Sequence, residues 1–111
     1  MEPKRIRLYH GGHIDKVLNI GLWGLNQNTP FYCTRDKALA EEAEYSHGLE
    51  GALLSLEVPE EVFHKCINAG YWTERPYVGC IPIEYSKEVI INLGVGIEIM
   101  NEIIAAKKKT F

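Results

Sequence analysis

Three short segments of the sequence combine residue types that could bind and cleave a ligand. They are Leu8-Tyr9-His10-Gly11-Gly12, Phe31-Tyr32-Cys33-Thr34 and Ile83-Glu84-Tyr85. An imidazole or a carboxylate can move a proton or stabilise a developing positive charge, and tyrosine rings stack on planar ligands. Glycine allows a ligand to approach the backbone closely. Each segment taken alone also has a structural explanation, because strand-end histidines and core tyrosines usually only pack.

The elements around these segments predict where the side chains stand. Ile6–His10 alternates apolar and polar residues and predicts a strand that ends in a turn at the two glycines. Phe31–Thr34 predicts a short strand, after which Thr34 caps a helix that extends through Ser46. Val89–Leu93 predicts a strand that follows the third segment.

The remaining elements are helices and strands in no regular alternation, which favours an α+β fold. The C-terminal segment predicts a helix with an apolar stripe at helical spacing. The predictions are a helix at His13–Ile20 with Val17 and Leu18 facing inward, a buried strand at Gly51–Val58, a helical turn at Glu60–Cys66, an irregular aromatic segment at Asn68–Gly79, and a helix at Ile97–Lys109 with Met100, Ile103 and Ile104 as its stripe.

Size and composition limit the classes of protein. A chain of 111 residues with 46% hydrophobic and 24% charged residues predicts one globular domain over residues 1–111. A net charge of −3 argues against a general nucleic-acid binder. The sequence begins without an apolar secretion signal and has no apolar run of about 20 residues, so we expect a cytoplasmic protein with no membrane partner.

In this order, the three segments resemble the ADP-ribosyltransferase superfamily, and most closely its His-Tyr-Glu branch of diphtheria-toxin-like and poly-ADP-ribose-polymerase-like catalytic domains. In that branch a strand ends in His-Gly, as at His10-Gly11. A second strand carries a tyrosine, as at Tyr32, and leads into a helix with a further tyrosine, similar to Tyr45. A late strand opens with a glutamate, often as Glu-Tyr, and Glu84-Tyr85 looks like it.

The resemblance implies a split antiparallel β-sheet with flanking helices and a central cleft for NAD, used as substrate without a metal. It implies His10, Tyr32 and Glu84 as catalytic residues, with Glu88 as the carboxylate if the register at the last motif differs. Glu84 would stabilise the oxocarbenium-like centre on the ribose. The residues implied to bind NAD are His10, Gly11, Tyr32, Thr34 and Tyr45, with the backbone of Gly11 on the nicotinamide amide and the two tyrosines stacked on its ring.

The function that the resemblance implies is mono-ADP-ribosylation of a macromolecular acceptor, protein or nucleic acid, as in bacterial or phage toxins and effectors. The alternative is a non-catalytic NAD- or nucleotide-binding module, such as an inhibitor or interaction protein, because a fold does not fix a function. The apolar stripe of the C-terminal segment could meet an antitoxin or a second copy of the chain, although core packing is the default.

Two other kinds of site compete with this interpretation. Histidines 10, 13, 47 and 64 and three cysteines could ligate zinc, but no Cys-x-x-Cys pair is present. Cys33 or Cys80 with a histidine could form a nucleophile pair, but neither lies in a recognisable local motif.

Overall fold

The strand predicted as buried, β3 (Gly51–Pro59), lies at the centre of a three-stranded antiparallel sheet. The computed structural model describes residues 4–23, 30–77, 87–91 and 100–106. Strand β1 (Arg5–His13) pairs with one edge of β3, and β6 (Met100–Ala106) pairs with the other. Every residue of β3 from position 51 to 56 is buried, as expected for a central strand that is covered on both faces.

The C-terminal helix predicted at Ile97–Lys109 is wrong, because Met100–Ala106 is strand β6. A short apolar run can satisfy either helical or strand periodicity, and its environment decides between the two. Here the environment is the second edge of β3, whose buried N–H and C=O groups require hydrogen-bonding partners. The pairing of β3 with β6 shifts register between Leu53 and Leu54.

A second antiparallel sheet has β5 (Lys87–Ile91) at its centre, between β2 (Phe31–Cys33) and β4 (Trp72–Pro76). The prediction of an irregular segment at Asn68–Gly79 is wrong over β4, which pairs with β5 from Trp72 to Pro76. The aromatic and charged residues of β4 gave no clear alternation, so the tertiary pairing sets the conformation of this segment.

One hydrophobic core joins the two sheets. The first sheet contributes Leu8, Leu54 and Leu56, and the second contributes Val89 and Ile91. Helices α1 (Ile14–Trp23) and α3 (Glu60–Ala69) cover this core, with Val17, Ile20, Phe63 and Cys66 buried. The helix predicted at Glu60–Cys66 is thus confirmed and extended, and ends at Gly70 with φ of 79°. Val17 faces inward as predicted, whereas Leu18 is exposed.

Helix α2 (Lys37–Tyr45) packs on the face of the first sheet opposite to this core. Its N-cap is Asp36, whose carboxylate accepts the Ala38 N–H at 3.0 Å, and not Thr34 as predicted. Thr34 instead binds the N-cap residue itself, because its hydroxyl oxygen accepts the Asp36 N–H at 2.9 Å. The described chain is therefore an α+β fold with antiparallel sheets and three α-helices.

None of these helices has the length and apolarity needed to cross a bilayer, within the part of the chain that the structure describes.

Candidate functional site

Within the described residues, one pair of backbone hydrogen bonds joins the strands of the two sheets. The Tyr9 N–H donates to the Thr34 carbonyl at 2.7 Å, and the Thr34 N–H donates to the Tyr9 carbonyl at 2.9 Å. This bridge is antiparallel, so a continued ladder would next place Gly11 of β1 opposite Tyr32 of β2. The described strands do not pair there, and they diverge after one bridge.

His10 occupies the point of divergence. Its Nδ1–H donates to the Tyr32 carbonyl at 2.7 Å, taking an acceptor that a continued ladder would have paired with a backbone N–H. The sequence prediction that β1 ends at His10 is wrong, since β1 continues through Gly11 and Gly12 to His13 along β3. The two sheets therefore separate between β1 and β2, beyond the bridge of Tyr9 with Thr34, and we call this gap the split. It does not result from a turn within β1.

The surroundings of His10 favour the neutral form of its imidazole. Burial lowers its pKa below the ordinary value of 6.5, and the hydrogen bond to Tyr32 only partly opposes this effect. With the proton on Nδ1, Nε2 is left as an acceptor. Nε2 is buried and has no hydrogen-bond partner among the described residues.

The backbone of Gly11 presents a donor and an acceptor at the split. Tyr9 directs its N–H and C=O away from β3 towards Thr34, and residues two apart in a strand direct these groups to the same side. Gly11 therefore directs its own N–H and C=O to the same edge, beyond the bridge. This is the pair of groups that the resemblance assigns to the nicotinamide amide.

Glycine is needed at position 11 for a further reason. A Cβ there would overlap the backbone oxygen of Ala40 and lie 2.6 Å from the backbone nitrogen of Glu44, so α2 crosses directly above this residue. The sequence predicted that glycine at this position lets a ligand approach the backbone. In the structure, the backbone of α2 is what approaches one face of Gly11.

A pocket of about 130 Å³ opens between α2 and the two diverging strands. It brings together four of the residues predicted to bind NAD, and α2 supplies its apolar wall. It is lined by Tyr9, His10, Gly11, Tyr32, Cys33, Thr34, Leu39, Ala40, Ala43, Tyr77 and Glu88.

Thr34 links the pocket to the second sheet. Its side chain is 4% exposed, and its hydroxyl donates to the Lys87 carbonyl at 2.6 Å while accepting the Asp36 N–H. The hydroxyl therefore uses both its donor and an acceptor within the protein, and fixes the end of β2 against the start of β5 and of α2.

The carboxylate described in the pocket belongs to Glu88, which is the alternative to Glu84 if the register at the last motif differs. Glu84 itself lies outside the described residues. The Glu88 side chain is 12% exposed, and its Oε1 accepts a hydrogen bond from Arg75 Nε at 2.7 Å. This charge-assisted bond to Arg75 orients the largely buried carboxylate.

Tyr45 and His47 do not line the pocket. Tyr45 is the last residue of α2 and is 71% exposed, whereas Tyr32 is 50% exposed and lines the pocket. His47 lies near His13, with ring centroids 6.0 Å apart, and His13 Nε2 lies 2.8 Å from a Glu50 carboxylate oxygen.

The thiol of Cys33 is a poor nucleophile in this structure. Burial raises its pKa strongly, and the negative charges of Glu74 and Glu88 raise it further. The side chain is 5% exposed and belongs to the core. Cys80, the other cysteine considered for this chemistry, lies outside the described residues. As for zinc, no group of three or more metal-binding side chains is arranged around a common point in the described ranges.

Tyr77 is one of the pocket residues to which the sequence assigned no role. It lies in the aromatic segment predicted as irregular, and the signal that could have drawn attention to it is its place directly after Pro76 at the end of a strand.

Comparisons of the chain with protein-family models, with curated proteins and with solved structures found no match.

Proposed function

We propose that the chain binds NAD⁺ with its nicotinamide end in the pocket beside the split, and transfers ADP-ribose to a macromolecular acceptor. The observation that carries this proposal is that His10, Gly11, Tyr32 and Thr34, named from two separate sequence motifs, line one pocket with a carboxylate. The central cleft of an ADP-ribosyltransferase-like sheet would be the gap between β1 and β2.

The size of the pocket supports binding of one end of the dinucleotide. A cavity of about 130 Å³ is smaller than the roughly 300 Å³ or more of typical ligand pockets, so it suits a single ring and not a whole dinucleotide. The Gly11 N–H and C=O match the carbonyl and amino groups of a carboxamide, and the exposed ring of Tyr32 offers a stacking face. The rest of NAD⁺ would lie outside this pocket.

The reaction breaks the bond between C1′ of the ribose and the nicotinamide nitrogen. The electron pair passes to the pyridinium nitrogen, and neutral nicotinamide leaves. The acceptor nucleophile then forms a bond to C1′ and loses its proton. A carboxylate beside the ribose stabilises the positive charge that develops on the sugar. Glu84 is the residue that the family resemblance assigns to this role, and Glu88 is the alternative.

In this proposal His10 binds a ribose hydroxyl of NAD⁺ and holds strands β1 and β2 apart. Its Nδ1–H is committed to Tyr32, so a neutral Nε2 is the atom left to accept a hydrogen bond from a ribose hydroxyl. The lowered pKa keeps Nε2 unprotonated, which suits an acceptor and disfavours a general acid.

One observation favours the second candidate function, NAD binding without turnover. The Glu88 carboxylate is paired with Arg75 at 2.7 Å, and this pairing offsets part of the charge that would stabilise an oxocarbenium centre. If Glu84 does not reach the ribose, the pocket would bind the nucleotide without cleaving it.

The test is release of nicotinamide from NAD⁺ by the pure protein with a cell lysate, followed by chromatography. Glu84→Gln and Glu88→Gln are compared with Glu61→Gln, an exposed position on α3 that pairs with Lys65. We expect release that is lost in Glu84→Gln or in Glu88→Gln and is retained in the control. Saturable NAD⁺ binding without release would support the binding module, and equal release by all variants would refute the assignment of the carboxylate.

A further inference from the structure

Helix α2 has an exposed side that faces away from the first sheet. Its other side packs on that sheet, where Leu39, Ala40 and Glu44 are buried. Residues at positions i, i+3, i+4 and i+7 of a helix share one side. We use the name outer face of α2 for the exposed residues with this spacing, which are Ala38, Glu41, Glu42 and Tyr45.

The carboxylates of the outer face have no basic partner among the described residues. Of the glutamate side chains that the structure describes, those without a lysine, arginine or histidine within 4.0 Å all lie on α2, and they are Glu41, Glu42 and Glu44. The glutamates with a basic partner are Glu50, Glu57, Glu60, Glu61, Glu74 and Glu88. The unpaired negative charge of the described chain is therefore concentrated on one helix.

Helix stability does not explain this placement. Glu41, Glu42 and Glu44 lie between the middle and the C-terminal end of α2, where the helix dipole disfavours anions, and the last turn has no basic residue. Like charges that are close together on a helix also repel each other. The arrangement therefore favours a cationic group that binds from outside the helix.

The same end of α2 exposes two large apolar side chains. Tyr45 is 71% exposed, and Leu49, four residues later in the turn that follows α2, is 66% exposed. These two are the most exposed of the large apolar side chains in the described chain. Aromatic residues are enriched in protein–protein interfaces. Carboxylates repel the phosphates of a nucleic acid, so this surface suits a protein that offers both basic and apolar side chains.

We propose that the outer face of α2, together with Leu49, is a docking surface for a lysine- or arginine-rich protein segment that also carries apolar side chains. Because α2 lines the pocket with Leu39, Ala40 and Ala43, a segment that binds this helix lies beside the pocket. That the segment belongs to the acceptor of ADP-ribose rests on the proposed function, and it makes the acceptor a protein. The docking surface itself rests on charge and exposure.

The experiment is fluorescence anisotropy of the full chain with three labelled probes: an amphipathic peptide of lysine and leucine, an equally long peptide of glutamate and leucine, and a single-stranded oligonucleotide. We expect binding of the lysine peptide alone. The double variant Glu41→Gln with Glu42→Gln should weaken it by about tenfold, since it removes two exposed charge pairs. The matched control, Glu60→Gln with Glu61→Gln, makes the same change in net charge on α3, where both carboxylates already have partners, and should stay within about twofold.

A second pair of variants tests the apolar side chains. Tyr45→Ser with Leu49→Ser should weaken binding of the lysine peptide by about tenfold, because less apolar area is buried on binding. Tyr71→Ser with Leu18→Ser is the matched control, since these residues are 41% and 40% exposed and lie elsewhere on the chain. Thermal unfolding shows that each variant is folded before its affinity is compared.

The outcomes separate this inference from the proposed function. Peptide binding that depends on the outer face supports the docking surface, even if the protein releases no nicotinamide from NAD⁺. Equal weakening by the two glutamine pairs means that only net charge matters, and this overturns the inference. Tighter binding of the oligonucleotide or of the glutamate peptide also overturns it. Failure of the wild type to bind the lysine peptide overturns it as well, even if nicotinamide release shows a transferase.

Discussion

Replacement of Gly11 by alanine tests whether the close crossing of α2 over β1 holds the pocket together. The new methyl group would overlap the backbone oxygen of Ala40 and lie 2.6 Å from the Glu44 nitrogen, where real Cβ atoms keep at least 3.0 Å. Both neighbours are backbone atoms of a helix, so neither can rotate away. The helix as a whole has to retreat by about 1 Å, or β1 has to bend.

The expected cost follows from this geometry. Overpacking of a tight interior costs about 1–3 kcal/mol, and a clash with helix backbone belongs at the upper end, at about 3 kcal/mol. For a domain of this size that loss lowers the Tm by about 15 °C and removes a large share of the roughly 5–15 kcal/mol that holds a domain folded.

Gly70→Ala is the matched control. Gly70 has φ of 79°, and no described atom lies within 4 Å of a Cβ built there, so alanine meets backbone strain and no clash. The left-handed conformation costs a non-glycine residue about 1 kcal/mol. The difference in the free energy of unfolding between the two variants therefore measures the cost of the clash with α2 where it crosses β1.

Urea unfolding measures both variants and is followed by circular dichroism and by tryptophan fluorescence, to which buried Trp72 contributes. We expect Gly11→Ala to lower the free energy of unfolding by about three times as much as Gly70→Ala. Gly11→Ala should also weaken NAD⁺ binding, because α2 forms a wall of the pocket. A loss for Gly11→Ala that is no larger than that for Gly70→Ala would refute the reasoning.

Three further predictions concern the residues around the split. Because the folded-state pKa of His10 is lowered, the unfolded chain takes up a proton first as the pH falls. Protonation of His10 therefore destabilises the folded chain as the pH falls below about 6.5, so urea midpoints at pH 7.5 and pH 5 should differ less in His10→Asn than in the wild type. Thr34→Val removes the 2.6 Å bond to Lys87 and should cost about 1–3 kcal/mol in urea unfolding, whereas Thr34→Ser should cost less; equal losses would contradict the role of the hydroxyl. Cys33 should resist iodoacetamide in the native protein and react only in denaturant, as read by mass spectrometry of its peptide; rapid native labelling would show that the thiol is reactive.

The sequence predicts best those elements whose pattern is local and whose environment agrees with it. The run of apolar residues in β3 is buried at almost every position, and the residues of β2 alternate between core and surface. Helix α3 was predicted at Glu60–Cys66, and the structure extends it to Ala69.

The elements that sequence reasoning missed are set by partners distant in the chain. Met100–Ala106 is a strand because the edge of β3 needs a partner, and β4 is a strand because β5 pairs with it. Strand β1 passes through Gly11 and Gly12 for the same reason, since a nine-residue ladder with β3 outweighs the preference of glycine for turns. No local pattern contains this information.

The candidate site, too, was predicted only in part. Residue types and their order were enough to select His10, Tyr32 and Thr34, but not to show what each side chain contacts. That Glu88 binds Arg75 and that Tyr77 enters the pocket depend on the register of β4 with β5, which only the folded chain provides.

The strongest reason to expect a function at the split is the second ring nitrogen of His10, which the packing of its ring on Phe31, with centroids 4.6 Å apart, does not explain. Gly11 is accounted for by the crossing of α2, and Thr34 by its two hydrogen bonds. His10, however, leaves Nε2 buried without a described partner, and buried polar groups of this kind cost stability. The Nδ1–H of His10 also donates to the Tyr32 carbonyl, which would accept a backbone N–H if the β1–β2 ladder continued.

A sequence selected only for stability would close this gap, and His10→Val tests that argument. Valine removes the unpartnered nitrogen and favours an extended strand, so the unfolding free energy should be unchanged or raised by up to about 1 kcal/mol at pH 7.5. NAD⁺ affinity should fall at the same time, because the strands can then pair and the pocket narrows. Stability that is retained while binding is lost identifies His10 as a residue kept for the ligand. A loss of several kcal/mol would instead make its bond to Tyr32 a requirement of the fold, and the split would carry no functional argument.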